Sequence, residues 1–187
     1  MRIIQYLFFL LLSSSVFGEV QLTESFEYYN VSAFSKKELV SNLKSSSPMQ
    51  TIDGGFYGKA RVAIDWEISF ERLQNDCRPD SVNVYVNVIY TMPKLSDTNE
   101  NTKSIWDLWY PKLLEHELGH KDIGMKYASR IEQEVNLFNK FKKCESLKSE
   151  ISSLLQVIVG ELNNKQSEYD NLTNYGETQG ANLDLYN

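Results

Sequence analysis

An α+β fold, with antiparallel strands first and then a long helix that returns as a helical hairpin, is what the sequence predicts. Two observations carry this reading. Apolar residues recur at every second position in two stretches between residues 60 and 90, and at every third or fourth position from Ile105 onward. A chain of 187 residues that is 42% hydrophobic and 24% charged has enough apolar side chain for one core, so a single domain is expected.

The elements follow in order. Phe26 to Val31 is aromatic and β-branched, which predicts a short strand. Ser35 and Glu38 form a capping box, and Leu39, Val40 and Leu43 give the helix behind it an apolar face. Ser45 to Gly55 holds Ser, Pro and paired Gly, and reads as a loop. Val62, Ile64, Trp66, Ile68 and Phe70 alternate with polar residues, and Val82 to Tyr90 repeats the pattern. These two strands are expected to pair antiparallel across a turn-rich stretch through Asn75, Asp76 and Pro79. Pro93 predicts the end of the second strand, and residues 94–103 an exposed loop. With Ser104 as cap and Pro111 at a kink or first turn, helical spacing then runs from Trp106 to Phe141. Leu147, Ile151, Leu155, Ile158 and Leu162 define a second stripe, so the polar residues 142–146 become the turn of a hairpin.

Met1 and Arg2 lead into an apolar run to Phe17 that is short for a membrane span and resembles a secretory signal peptide. Val16 and Gly18 supply the small residues at −3 and −1, so cleavage is expected after Gly18, leaving a mature domain of residues 19–187 in the periplasm or medium. Loss of Arg2 with the leader takes the net charge from −6 to −7. An acidic chain without a Lys/Arg cluster argues against nucleic acid as a partner, and no later segment is apolar enough to cross a membrane. Export also predicts that the two cysteines, Cys77 and Cys144, form a disulfide. The apolar stripe of residues 147–162 is too short for a persuasive coiled coil, so a monomer is expected.

The chain's only two histidines stand four apart in His116-Glu117-Leu118-Gly119-His120. On a helix, residues four apart share a face, so both imidazoles can reach one Zn²⁺ while Glu117 projects toward a water at the metal. Zinc lowers the pKa of that water and polarises a carbonyl, and Glu117 can take the proton, which suits amide hydrolysis. A third protein ligand is needed, and with no histidine left it must be Asp, Glu or Tyr. Glu134 lies 14 residues past His120, about 21 Å along a helix, and reads as a solvated side chain. If the chain reverses near Cys144, His120 lies opposite Glu168, which delivers the tail beyond it to the metal. Asp170 is then the leading third ligand. Tyr175 is a neighbouring phenol that could stabilise an oxyanion or ligate zinc, with Glu168 and Glu177 as further possibilities.

These residues resemble the bacterial domain-of-unknown-function 922 family, usually described as secreted zinc-dependent proteases among the zincin-like metallopeptidases. The resemblance rests on Tyr28, Tyr29 and Val31, on Glu38 and Leu39, on Gly58 and Trp66, on Cys77 and Cys144, on Trp106, on His116, Glu117, Gly119 and His120, and on the closing Tyr169, Asp170, Thr173, Gly176, Gln179 and Gly180. It implies a zincin-like fold, with strands beside the active-site helix and a substrate groove along the sheet edge. In that family the residue before the tail glycine is usually His; here it is Tyr175. Lys121, after the second histidine, also departs from the uncharged residue usual in zincin helices. The expectation is an exported zinc metallopeptidase acting on peptide or protein substrates. The alternatives are a non-catalytic zinc-binding envelope protein and an adaptor docking partners on the 147–162 stripe.

Overall fold

The computed structural model describes residues 20–49 and 57–187, so the leader and its cleavage point lie outside the described residues. The order is β1 (Val20–Ala33), α1 (Lys36–Ser46), β2 (Lys59–Leu73), β3 (Asp76–Thr98), α2 (Glu100–Asn136), β4 (Lys142–Lys143) and α3 (Cys144–Thr173), with short 3-10 turns at Glu177–Gln179 and Leu183–Leu185. The α+β class expected from the sequence is the class observed. The sheet runs β1-β3-β2, and β4 adds two residues beside β3.

β3 is the centre of the sheet because its alternation is the strongest in the chain. Val82, Val84, Val86, Val88, Tyr90 and Met92 are almost wholly buried, forming the face on which the helices pack. β2 pairs with it antiparallel, as expected, but the turn is tighter than the sequence suggests: Gln74 and Asn75 alone connect Leu73 to its partner Asp76, with Gln74 at φ 57°. Pro79 does not mark the turn. It sits inside β3 beside the register shift between Ser69 and Phe70, a bulge where a missing N–H is tolerated.

β1 is longer than the aromatic run implies, pairing parallel with β3 from Val20↔Val84 to Ala33↔Thr98. Its polar stretch around Thr23 to Ser25 hides the strand from a periodicity reading, because an edge strand needs little apolar alternation. β3 also continues past Pro93 to Thr98, so the expected loop over 94–103 is absent. The β2 ladder begins only at Lys59↔Thr91, and beyond it Pro93 is bordered by β1 through Tyr29, where a proline breaks no β2 pairing.

Ser35 accepts from the Glu38 amide at 3.2 Å, as the capping box predicts, and the Glu38 carboxylate takes the amide of Phe34 at 2.8 Å. α1 then buries Leu39 and Leu43. The cap of α2 is Asn99, whose side chain accepts from Thr102 N at 2.9 Å; Ser104 instead donates to the Glu100 carbonyl. Pro111 is interior to α2, which continues through it because Trp106, Trp109 and Leu113 on either side are anchored in the core. The helix stops at Asn136, short of Phe141, and the connecting segment runs along the β2–β3 hairpin, with Arg78 over the Phe141 ring at 5.0 Å.

α3 turns Leu147, Ile151, Leu155, Ile158 and Leu162 inward, so the stripe that an adaptor would need exposed is part of this chain's own interior. No described helix is long and apolar enough to cross a membrane. Cys77 and Cys144 meet where β4 joins β3, but as two free cysteines with hydrogen-bonded thiols, not as the expected disulfide. Burial and the neighbouring Cys144 push the Cys77 thiol above its ordinary value.

Candidate metal centre

His116, Glu117 and His120 lie on α2 where the helix passes β2, and all three are buried. The two imidazole rings are 5.0 Å apart. α3 returns antiparallel and brings Asp170 against them, its Oδ1 3.3 Å from His116 Nε2 and 2.9 Å from His120 Nε2. These three ligand atoms lie within 4.8 Å of one another. A tetrahedral zinc with ligands at 2.0–2.1 Å requires ligand atoms roughly 3.3 Å apart, and the two separations from Asp170 lie close to that spacing.

The orientation of each imidazole is set by a glutamine. Gln166 Nε2 donates to the His120 carbonyl at 3.0 Å, which turns Gln166 Oε1 toward His120 Nδ1 at 2.6 Å. Tyr169 Oη donates to the His116 carbonyl at 3.2 Å and accepts from Gln179 Nε2 at 3.0 Å, so Gln179 Oε1 faces His116 Nδ1 at 2.9 Å. Each Nδ1 therefore has an acceptor and carries the hydrogen, leaving Nε2 as the nitrogen aimed at Asp170. The Tyr169 ring also stacks on His116 at 5.0 Å between centroids. Gly119 makes room for it: a Cβ there would stand 2.1 Å from Tyr169 Oη. Gly176, at φ 86°, lets the tail turn against His116, where a Cβ would meet the ring at 2.9 Å.

Burial raises the Asp170 carboxyl, but its close contacts with His116 and His120 outweigh it and hold the group down at about 2. Burial lowers the His120 imidazole, yet contact with Asp170 and Gln166 carries it above its ordinary value. Glu117 is pushed up by burial, an effect only partly offset by the two histidines and by the amide of Ala60, which donates to Glu117 Oε2 at 2.6 Å. β2 thus holds the carboxylate from one side while α2 presents it to the cleft from the other. The cleft has a volume of about 1080 Å³ and runs between β2, α2, α3 and the tail.

Of the carboxylates weighed as third ligand, only Asp170 joins the histidines. Glu168 pairs with Lys165 at 2.7 Å, Glu177 accepts from Asn174, and Glu134 pairs with Arg130. Tyr175 lies on the cleft wall, half exposed at φ 52°, with its amide donating to the Asp170 carbonyl at 2.8 Å. Lys121 turns aside to Asp122 at 3.2 Å. Sequence reasoning assigned no role to Gln166, Gln179 or Tyr169. The signal for Gln166 was its spacing, four residues before Asp170 and so on the same face of α3.

No curated protein and no solved structure matches the chain. Residues 26–177, which span both histidines, Glu117 and Asp170, match the family model described as bacterial protein of unknown function (DUF922), and the chain belongs to that family.

Proposed function

We propose that this is an exported zinc-dependent metallopeptidase in which His116, His120 and Asp170 hold the metal and Glu117 is the general base. The observation that carries the reading is the convergence of two glutamine-oriented Nε2 atoms on one Asp170 oxygen, beside a buried carboxylate. This donor set, two imidazoles and a carboxylate with an open side toward a cleft, suits a catalytic zinc better than a closed structural one. Zinc bound there supplies Lewis acidity, polarising a peptide carbonyl and making water nucleophilic near neutral pH.

The chain's own groups do the rest. Glu117, raised by burial, is suited to accept a proton from the attacking water and return it to the leaving amine. Gln166 and Gln179 keep the imidazoles in the ligating tautomer. Tyr175, on the cleft wall, is the phenol that steadies negative charge on the former carbonyl oxygen. The apolar leader of residues 1–18 directs the protein out of the cytoplasm.

The test is zinc content and peptide hydrolysis of the mature protein beside Glu117→Gln. A peptidase keeps its zinc and loses turnover in the variant. Unchanged hydrolysis would remove Glu117 from the mechanism, and bound zinc with no hydrolysis by the native protein would favour a non-catalytic zinc protein.

A further inference from the structure

A second hollow, of about 680 Å³, opens between β2 and α3 on the helix-bearing face of the sheet. Trp66, Ile68 and Phe70 wall it on the strand, and Ile151, Leu155 and Val159 on the helix. It is apolar but uncovered: Trp66 is 37% exposed, whereas Trp106 and Trp109 are buried. Gly160 lines it in the middle of α3, and a Cβ there would meet nothing within 4 Å. Glycine in a helix interior is less favourable than alanine, and among the described residues no neighbour uses the space it leaves.

Continuity with the metal centre identifies the occupant. Asn163 lines both this hollow and the cleft. Gly160, Asn163, Gln166 and Asp170 follow one another at helical spacing, so one face of α3 leads from the hollow to the metal site. β2 forms the opposite rail and runs antiparallel to α3: Lys148 lies over Phe70 at the far end, and Ala60 holds Glu117 at the near end. From Gly160 to Asp170 is about 15 Å of helix. From Trp66 to Ala60 is about 20 Å of strand. An extended polypeptide covers that distance in about five or six residues. A compact apolar ligand would occupy the hollow alone, whereas an extended chain along the shared α3 face occupies both the hollow and the cleft.

We infer that the hollow is a remote subsite of the cleft, taking apolar side chains of an unfolded polypeptide about five or six residues from the peptide bond at the metal. Cleavage of that bond rests on the peptidase reading; the binding does not. The preferred substrate class is then an extended, apolar-rich polypeptide, not a short peptide.

The experiment uses dye-labelled unstructured peptides of about 16 residues, long enough to span the trough, built on one Gly/Ser/Ala sequence. One pair carries Leu-Phe-Leu toward the amino or the carboxyl end, and the control carries Ser there. Binding to zinc-loaded mature Glu117→Gln protein is read by anisotropy, and hydrolysis by the native protein is read separately. The expected result is about ten-fold tighter binding of one Leu-Phe-Leu peptide over the control. Gly160→Leu, which fills the hollow, and Trp66→Ser, which strips its wall, each abolish that advantage while zinc content stays unchanged. Equal binding of apolar and control peptides overturns the inference, as does an advantage that survives both variants. Hydrolysis of all peptides with equal kcat/KM and equal binding removes the subsite and leaves the peptidase; selective binding without hydrolysis does the reverse.

Discussion

At the turn end of the α2–α3 hairpin, Lys142 pairs with Glu150 at 2.6 Å, with 44% and 46% of the two side chains exposed. At the open end, His116 and His120 are nearly buried, and their ring nitrogens meet Asp170, Gln166 and Gln179. Both ends are polar, but the dielectric around them differs. Solvated pairs contribute about 0–1 kcal/mol each, since water competes for both partners. A buried polar group that loses its partner costs about 1–3 kcal/mol, since nothing replaces it. The open end is therefore a specified arrangement, and the turn end tolerates change.

The largest effect that tests this contrast is at Asp170. Asp170→Ala leaves two imidazoles facing one another without a carboxylate, and metal analysis of the purified mature protein should fall from about one zinc per chain to near zero. Retention of zinc would show that the open end is organised around something else. Glu117→Gln should next lower peptide hydrolysis by about 10²- to 10⁴-fold with zinc content unchanged, as expected of a lost general base.

Smaller effects grade the outer contacts. Gln166→Ala and Gln179→Ala should each weaken zinc affinity by about 10- to 100-fold in a chelator competition, because each frees an imidazole to rotate and change tautomer. Lys142→Ala in the same competition should do nothing. In metal-free protein the Asp170 carboxyl titrates at about 2, below its unfolded value of 3.8. Its contribution to stability is thus present above about pH 4 and lost as pH falls toward 2, so the urea midpoint should drop over that interval, and Asp170→Asn should flatten the drop. Last, Lys142→Ala should change unfolding free energy by less than about 1 kcal/mol. A larger loss would erase the distinction between the two ends.

Legibility followed the range of the interaction. The capping box at Ser35, the strand alternation of residues 62–70 and 82–90, and the pairing of His116 with His120 on one helix face are all written within a few residues of sequence. The reversal near Cys144 was also readable, and it carried Asp170 to the correct neighbourhood because two helices rise equally per residue. Pro93 misled because a proline ends a strand only where its N–H is needed, and that depends on where β2 stops. β1 was undersized because its neighbour is β3, far along the chain and parallel.

The sequence by itself determined the local parts: the capped start of α1, the alternation that turns β2 and β3 toward the core, and that two imidazoles and a carboxylate are presented together on α2. The tertiary structure alone decided how those parts are completed. Gln166 lies 46 residues from His120 and Gln179 lies 63 from His116, and only the packing of α3 and the tail against α2 selects them. The same packing leaves Trp66 and Gly160 facing an open trough. Helical and strand periods are properties of adjacent residues, whereas a hydrogen-bond partner across the core is chosen by the rigid-body fit of whole elements, which no short window of sequence contains.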